Sequence, residues 1–412
     1  MTSSDQLFYN IRNNINIFIH KYITGDIFMR RFFTVLMIIN VIFMIISVNS
    51  HAAETDAVSI SAPSAILVDY STGKVLYEKN ADEKKPLASV TKIMTMLLAM
   101  EEIDAGRMSF DDIITGSAHA KSYGGSTIFL DEGEQISVRD ILKGIAVASG
   151  NDAAVAMGEH ISGTEEAFVN KMNEKAKILG MKNTHFVNCC GLDADGHYST
   201  ARDISIMSRE LMRHNKIFDF TGIWMDTLRN GEFTLSNTNK LIRFYEGATG
   251  LKTGSTSKAG FCISATAKRD NMHLIAVIMN AETSKKRQAD ASTLLNYGFK
   301  NYKITNVIDE KKNTYSYDVD KGEQNKISVC PENRIDYVLS KNDNSEFKTE
   351  AVTDKKICAP VKKGSEVGTI KIFMNGKYKT SVKLVANESV NKISFASYYK
   401  TVLQNWLVMQ KK

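Results

Sequence analysis

Apolar residues recur at helical spacing through Ser89–Ile103, where Ile93, Met96, Leu97 and Met100 fall on one face. The same periodicity predicts helices over Ser137–Val147, Asn151–Ile161, Glu165–Leu179, Thr200–His214 and Lys285–Phe299. Ala65–Asp69 and Val75–Glu78, joined by Ser71-Thr72-Gly73, read as a β-hairpin. Phe261–Ala267 and Leu274–Met279 are apolar strands separated by the polar turn Lys268-Arg269-Asp270-Asn271, and Thr127–Leu130 reads as a strand entered through Gly124-Gly125-Ser126. Strands at both ends with helices between predict an α+β domain whose sheet gathers distant segments.

The texture changes near residue 303. Short β-like stretches at Tyr315–Val319, Lys326–Val329, Asp336–Leu339, Thr369–Phe373 and Thr380–Leu384 predict a small all-β domain. From Val390 the pattern is helical again. Phe395, Tyr399, Val402, Leu403, Trp406, Leu407 and Met409 share one face of a 100° wheel, and no acidic residue follows Glu388. Such a helix either docks on its own domain or lies in a membrane interface.

At the other end, Arg30 and Arg31 precede the apolar run Phe32–Val48, and small residues follow at Ser50, Ala52 and Ala53. That order is expected of a cleaved secretory signal over residues 1–52, with an uncleaved membrane anchor as the alternative and Met29 as a second possible start.

Composition narrows the picture further. With 43% hydrophobic and 24% charged residues the chain is globular, and a net charge of +6 over 412 residues gives no argument for nucleic acid as a partner. Five cysteines are too few for a disulfide scaffold, and neither they nor the eight histidines show metal-site spacing, so no metal and no cofactor is expected.

The chemistry rests on three triplets and their order. Ser89-Val-Thr-Lys92 places a hydroxyl and an amine one helical turn apart at the N-terminus of an apolar helix, where unpaired backbone N–H groups can stabilise an oxyanion. Ser-x-x-Lys alone is weak, since it also begins at Ser71, Ser255, Ser345, Ser389 and Ser397. Ser149-Gly150-Asn151 follows between two helices, and Lys252-Thr253-Gly254 just before a strand. Each triplet is common by chance, but all three in this order, in a chain expected to be exported, are not.

With those motifs, the sequence resembles the serine D-alanyl-D-alanine carboxypeptidases, the low-molecular-weight penicillin-binding proteins. The matching stretches are Ala88–Lys92, Ala148–Asp152, Asn188–Asp193, Gly196–Asp203 and Gly250–Gly254. The resemblance implies a transpeptidase/β-lactamase-like domain, an antiparallel sheet flanked by helices with a helical subdomain, over residues 57–302. A β-rich domain over 303–388 and an amphipathic membrane-anchoring helix over 389–412 would follow.

The residues suggest their own roles. Ser89 needs a base, and Lys92 can serve only when neutral, a state favoured by burial and by the field of Lys252. Ser149 would relay the proton toward the leaving amine, and the Asn151 amide would orient Lys92 and the substrate. The resemblance further implies an oxyanion hole from the N–H groups of Ser89 and Ser255. It also implies that Lys252 and Thr253, beside Gly254, hold the substrate carboxylate, with Arg287 as a second carboxylate contact. Cys189-Cys190 departs from the usual family pattern and is expected to touch no catalytic group.

The expected partners are a peptidoglycan stem peptide ending in D-Ala-D-Ala, β-lactams, and a membrane surface on the outer face of the cytoplasmic membrane. A β-lactamase, or a non-catalytic penicillin-sensing or wall-binding module, are the alternatives. Glu166-Ala-Phe-Val-Asn170 resembles a deacylating pair of class A β-lactamases, but its position within a charged helix favours a solvated face.

Overall fold

The computed structural model describes residues 58–353, 356–399 and 402–403. The signal-like segment therefore lies outside the described residues, as do Trp406, Leu407 and Met409.

Strands β1 (Ser64–Asp69) and β2 (Val75–Lys79) form the expected hairpin. Helix α1 (Lys92–Asp104) follows a 3-10 turn at Ala88–Thr91 and is apolar almost all round, so only a buried position suits it. Its Leu97 is fully buried in the main core, where truncation to Ala costs about 2–5 kcal/mol. Helices α2 (Asn151–Ser162), α3 (Glu165–Ile178) and α4 (Ala201–Leu211) share the helical layer with α1, as does the short helix Val138–Lys143. Thr164 and Thr200 cap α3 and α4, their side chains accepting the backbone N–H groups of Ala167 and Asp203.

Strands β3 (Ala248–Thr256), β4 (Gly260–Arg269) and β5 (Met272–Ala281) return to the sheet, and α5 (Ser284–Asn301), capped by Thr283, closes the domain. The antiparallel sheet runs β2-β1-β5-β4-β3. Alternation sends Ile66, Val68, Ile275, Val277 and Met279 into the helical core, whereas Leu67 and Leu274 meet α5 at Gly298. Helices on both faces explain why Leu274–Met279 within β5 reads as an unbroken apolar run. They leave β3 as an open edge.

Two expectations are corrected. Thr127–Leu130 forms no strand: the Asp152 carboxylate accepts the N–H groups of Ile128 and Leu130, satisfying them without a ladder. Lys252-Thr253-Gly254 lies within β3, not before a strand, because its partner β4 pairs with it from Ala248 to Thr256.

The C-terminal domain contains β6 (Tyr302–Ile308), β7 (Tyr315–Asp320), β8 (Lys326–Pro331), β9 (Ile335–Ser340), β10 (Phe347–Val352), β11 (Ile357–Cys358), β12 (Glu366–Met374) and β13 (Lys377–Ala386). A six-stranded sheet, β10-β12-β13-β8-β7-β11, accompanies the β6-β9 pair around a separate core. Strand β6 follows α5 with no intervening residue, and Lys74 Nζ donates to the Val338 carbonyl at 3.0 Å across the two domains. Val390 belongs to this second core and pairs with Val361. Residues 395–399 and 402–403 are helical, with Phe395 85% and Tyr399 58% exposed. All five cysteines are free thiols.

Candidate active site

Ser89 sits in the 3-10 turn, half-buried, one turn ahead of Lys92, the first residue of α1. The turn is held by a relay of hydrogen bonds. Val187 N–H donates to His197 Nδ1, which leaves the ring proton on Nε2. That nitrogen is 2.8 Å from Thr91 Oγ1, whose hydroxyl donates to the Ala88 carbonyl. Ala88 is thereby kept at φ 48°, an uncommon value for a residue with a side chain. Gly191 lies so close beneath it that a Cβ there would fall 1.9 Å from the Ala88 oxygen. Burial pushes the His197 imidazole down to about 4, so the ring is neutral in this relay.

Lys92 is fully buried and its Nζ has three partners: Ser89 Oγ at 3.0 Å, Asn151 Oδ1 at 2.6 Å and the Cys190 carbonyl at 2.7 Å. Two of these can only accept, whereas the serine hydroxyl can also donate. Loss of one ammonium proton therefore leaves the Lys92 lone pair facing Ser89, with the two remaining N–H groups still bound to fixed oxygens. Burial lowers the Lys92 pKa to about 8.

Burial is the leading influence at Lys92, and the repulsion between the two buried amines also bears on Lys252. That group falls well below the usual lysine range through burial first, then Lys92 and Arg287.

Asn151 opens α2 immediately after Ser149 and Gly150. Its Oδ1 takes the Lys92 proton donor, while Nδ2 donates to the Gly124 carbonyl at 2.7 Å, which fixes the amide orientation. Ser149 is buried in a left-handed conformation, φ 65°, at the end of a π-turn. Its hydroxyl is not among the three Lys92 partners.

Strand β3 forms the facing wall. Gly254 packs so tightly on the 3-10 turn that a Cβ there would lie 2.7 Å from the Ser89 nitrogen. Lys252 Nζ donates to the Thr253 carbonyl at 2.9 Å, and Thr253 Oγ1 donates to Thr238 Oγ1 at 2.7 Å. Ser255, the next residue, is exposed. Arg287 reaches β3 from α5, where Nη1 lies 3.5 Å from the Gly254 carbonyl and Nε has no partner although buried. Burial lowers its pKa to about 10, so it remains cationic at neutral pH.

Residues 49–283 match the Peptidase_S11 family model, D-alanyl-D-alanine carboxypeptidase, and residues 302–392 match the penicillin-binding protein 5 C-terminal domain. The chain is 43% identical to "D-alanyl-D-alanine carboxypeptidase DacF" of Bacillus subtilis over 85% of this chain and 92% of that protein. The chain belongs to the D-alanyl-D-alanine carboxypeptidase family. Penicillin-binding protein 5 from Haemophilus influenzae superposes with a TM-score of 0.67 at 32% identity, covering 81% of this chain and 98% of that one. Penicillin-binding protein D2 from Listeria monocytogenes, in an ampicillin-bound form, gives 0.54 at 34% identity over 58% of this chain and 98% of that one.

In this carboxypeptidase-family chain one expectation is overturned. Cys189-Cys190 does reach the centre, since the Cys190 carbonyl is a direct partner of Lys92. The contact is made by backbone, so residue type carries no signal of it. Glu166 and Asn170 point to solvent on α3, as a charged helix face does. No group of His, Cys, Asp and Glu suited to a metal occurs among the described residues.

Proposed function

We propose that the chain is a serine-type D-alanyl-D-alanine carboxypeptidase acting on peptidoglycan stem peptides, with Ser89 as nucleophile and Lys92 as base. The observation that carries this reading is the 3.0 Å approach of the buried Lys92 amine to Ser89 Oγ, with its other two N–H directions tied to oxygen. Neutral Lys92 takes the Ser89 proton as Oγ bonds to the penultimate D-Ala carbonyl carbon. The N–H groups of Ser89 and Ser255 receive the developing oxyanion. Collapse breaks the peptide bond; the proton returns through Ser149 to the leaving nitrogen, and D-Ala departs. Water then cleaves the acyl-serine with Lys92 again as base.

The open edge of β3 suits an extended substrate backbone, with Lys252 and Thr253 offering hydrogen-bond donors and the cationic Arg287 a positive charge for its terminal carboxylate. A β-lactam presents the same carbonyl and carboxylate, and its ring nitrogen stays tethered after opening.

Intact mass after addition of benzylpenicillin tests the assignment. One lasting adduct in the wild type and none in Ser89→Ala is expected; an adduct that persists in Ser89→Ala would sink it. Drug consumption without accumulated adduct would indicate a β-lactamase.

We also propose that the exported protein is held on the outer face of the cytoplasmic membrane by its C-terminal segment, supported by the exposed apolar side chains of Phe395, Val402 and Leu403. Since Val390 is part of the β-domain core, the test is deletion after Ile393. The truncated protein should leave the membrane fraction yet release D-Ala from a soluble peptide; retention on membranes would refute the anchor.

A further inference from the structure

Glu165 is the first residue of α3, a position where a carboxylate ordinarily faces water and complements the helix dipole. Its neighbour Glu166 does so, but the Glu165 side chain is only 12% exposed and turns inward. One carboxylate oxygen accepts the Tyr123 hydroxyl and lies 2.9 Å from His119 Nε2. The other accepts the Cys189 backbone N–H at 3.1 Å and its thiol at 3.3 Å. Burial opposes the charge of Glu165, but the hydrogen bonds from Tyr123, His119 and Cys189 outweigh it, so the carboxyl is held below its usual range and ionised.

These contacts converge on Lys92 from two directions. The residue after Cys189 supplies the carbonyl that accepts Lys92 Nζ at 2.7 Å. The residue after Tyr123 supplies the carbonyl that fixes the Asn151 amide, whose oxygen takes Lys92 Nζ at 2.6 Å. Glu165, Cys189-Cys190, Lys92, Asn151 and Gly124-Tyr123 thus close a ring. We propose that Glu165 is a positioning residue that clamps both backbone segments holding the Lys92 base, and so sets the approach of its lone pair to Ser89.

The role requires neither contact with substrate nor a direct bond to Lys92. It rests on the assignment of Lys92 as base above. Misplacement of a reacting group by about 1 Å can cost on the order of 100-fold in rate. Of the two variants, Glu165→Ala removes every acceptor, whereas Glu165→Gln keeps one oxygen for the Cys189 N–H and an amide that can donate to the Tyr123 oxygen.

The test is the rate of Ser89 acylation by benzylpenicillin from pH 6 to 10, resolved into the binding constant of the initial complex and the first-order acylation step. Glu165→Ala should lower the acylation step about 10- to 100-fold with the binding constant within about twofold of wild type. Glu165→Gln should recover most of the loss, and Tyr123→Phe, which cuts one arm only, should fall between. Near-ultraviolet circular dichroism in each variant confirms that the rates belong to folded protein. If the folded variants, Tyr123→Phe included, match the wild-type acylation step across the pH range, or if only the binding constant changes, the clamp is overturned. Appreciable Ser89 acylation in Lys92→Arg would instead overturn the base assignment on which it rests.

Discussion

The buried amine at Lys92 makes a quantitative demand on pH. As the base proposed above, the group would react only when neutral, and burial lowers its pKa to about 8. The neutral fraction is then about a tenth at pH 7, half at pH 8 and nine-tenths at pH 9. The first-order step of Ser89 acylation should therefore rise about tenfold from pH 7 to 9 and level off beyond. An unburied lysine near 10.4 would give a continued tenfold rise per unit throughout that window, to about a hundredfold. Rapid-quench mass spectrometry at saturating benzylpenicillin isolates this step from binding, where Lys252 exerts its own influence. Lys92→Arg supplies the control, because a guanidinium cannot give up its proton and should abolish the reaction at every pH. A flat profile between pH 7 and 9, or appreciable acylation by Lys92→Arg, would refute Lys92 as the base.

Gly254→Ala places a Cβ 2.7 Å from the Ser89 nitrogen and should cut acylation about 100-fold while leaving secondary structure intact. Rates within a few-fold of wild type would mean that this N–H does not serve the oxyanion. His197 and His273 are both lowered to about 4 by burial, so the unfolded chain binds more protons than the folded one below their ordinary value near 6.5. Stability should fall as pH drops from about 6.5 toward 4, by up to about 3 kcal/mol for each imidazole, and urea titrations at stepped pH would measure it. Gly191→Ala combines a φ of +90° with a Cβ 1.9 Å from the Ala88 oxygen, and should lower the unfolding free energy by about 2 kcal/mol or more, seen as a lower urea midpoint, and slow acylation together. An unchanged midpoint would show that the loop yields freely.

The parts legible in the sequence were those carried by side-chain chemistry. Ser89, Lys92 and Asn151 are named by their triplets, and the structure joins them by direct hydrogen bonds. The carbonyls of Gly124 and Cys190 complete the same cluster, but any residue can present a carbonyl and its direction depends on the fold. Thr127–Leu130 is a β-prone run entered through a glycine bend, yet the carboxylate of Asp152 takes its N–H groups, a competition that local sequence does not register. Ser89 itself falls in a 3-10 turn instead of the α-helix predicted from Ser89 to Ile103. The apolar spacing that draws the helix continues through the turn, while the positive φ of Ala88 is imposed by segments far away in sequence.

The junction at Asn301–Tyr302 has a mechanical consequence. Where α5 ends and β6 begins there is no slack, and the Lys341 N–H bonds to the Asn301 carbonyl at 2.8 Å while Lys74 reaches across to Val338. The two domains therefore have no stretch of free chain between them. With the C-terminal segment anchored as proposed above, the second domain would set the standoff of Ser89 from the membrane, and with it the layer of material the cleft can reach. Lengthening the tail beyond that domain would widen that layer without altering the cleft.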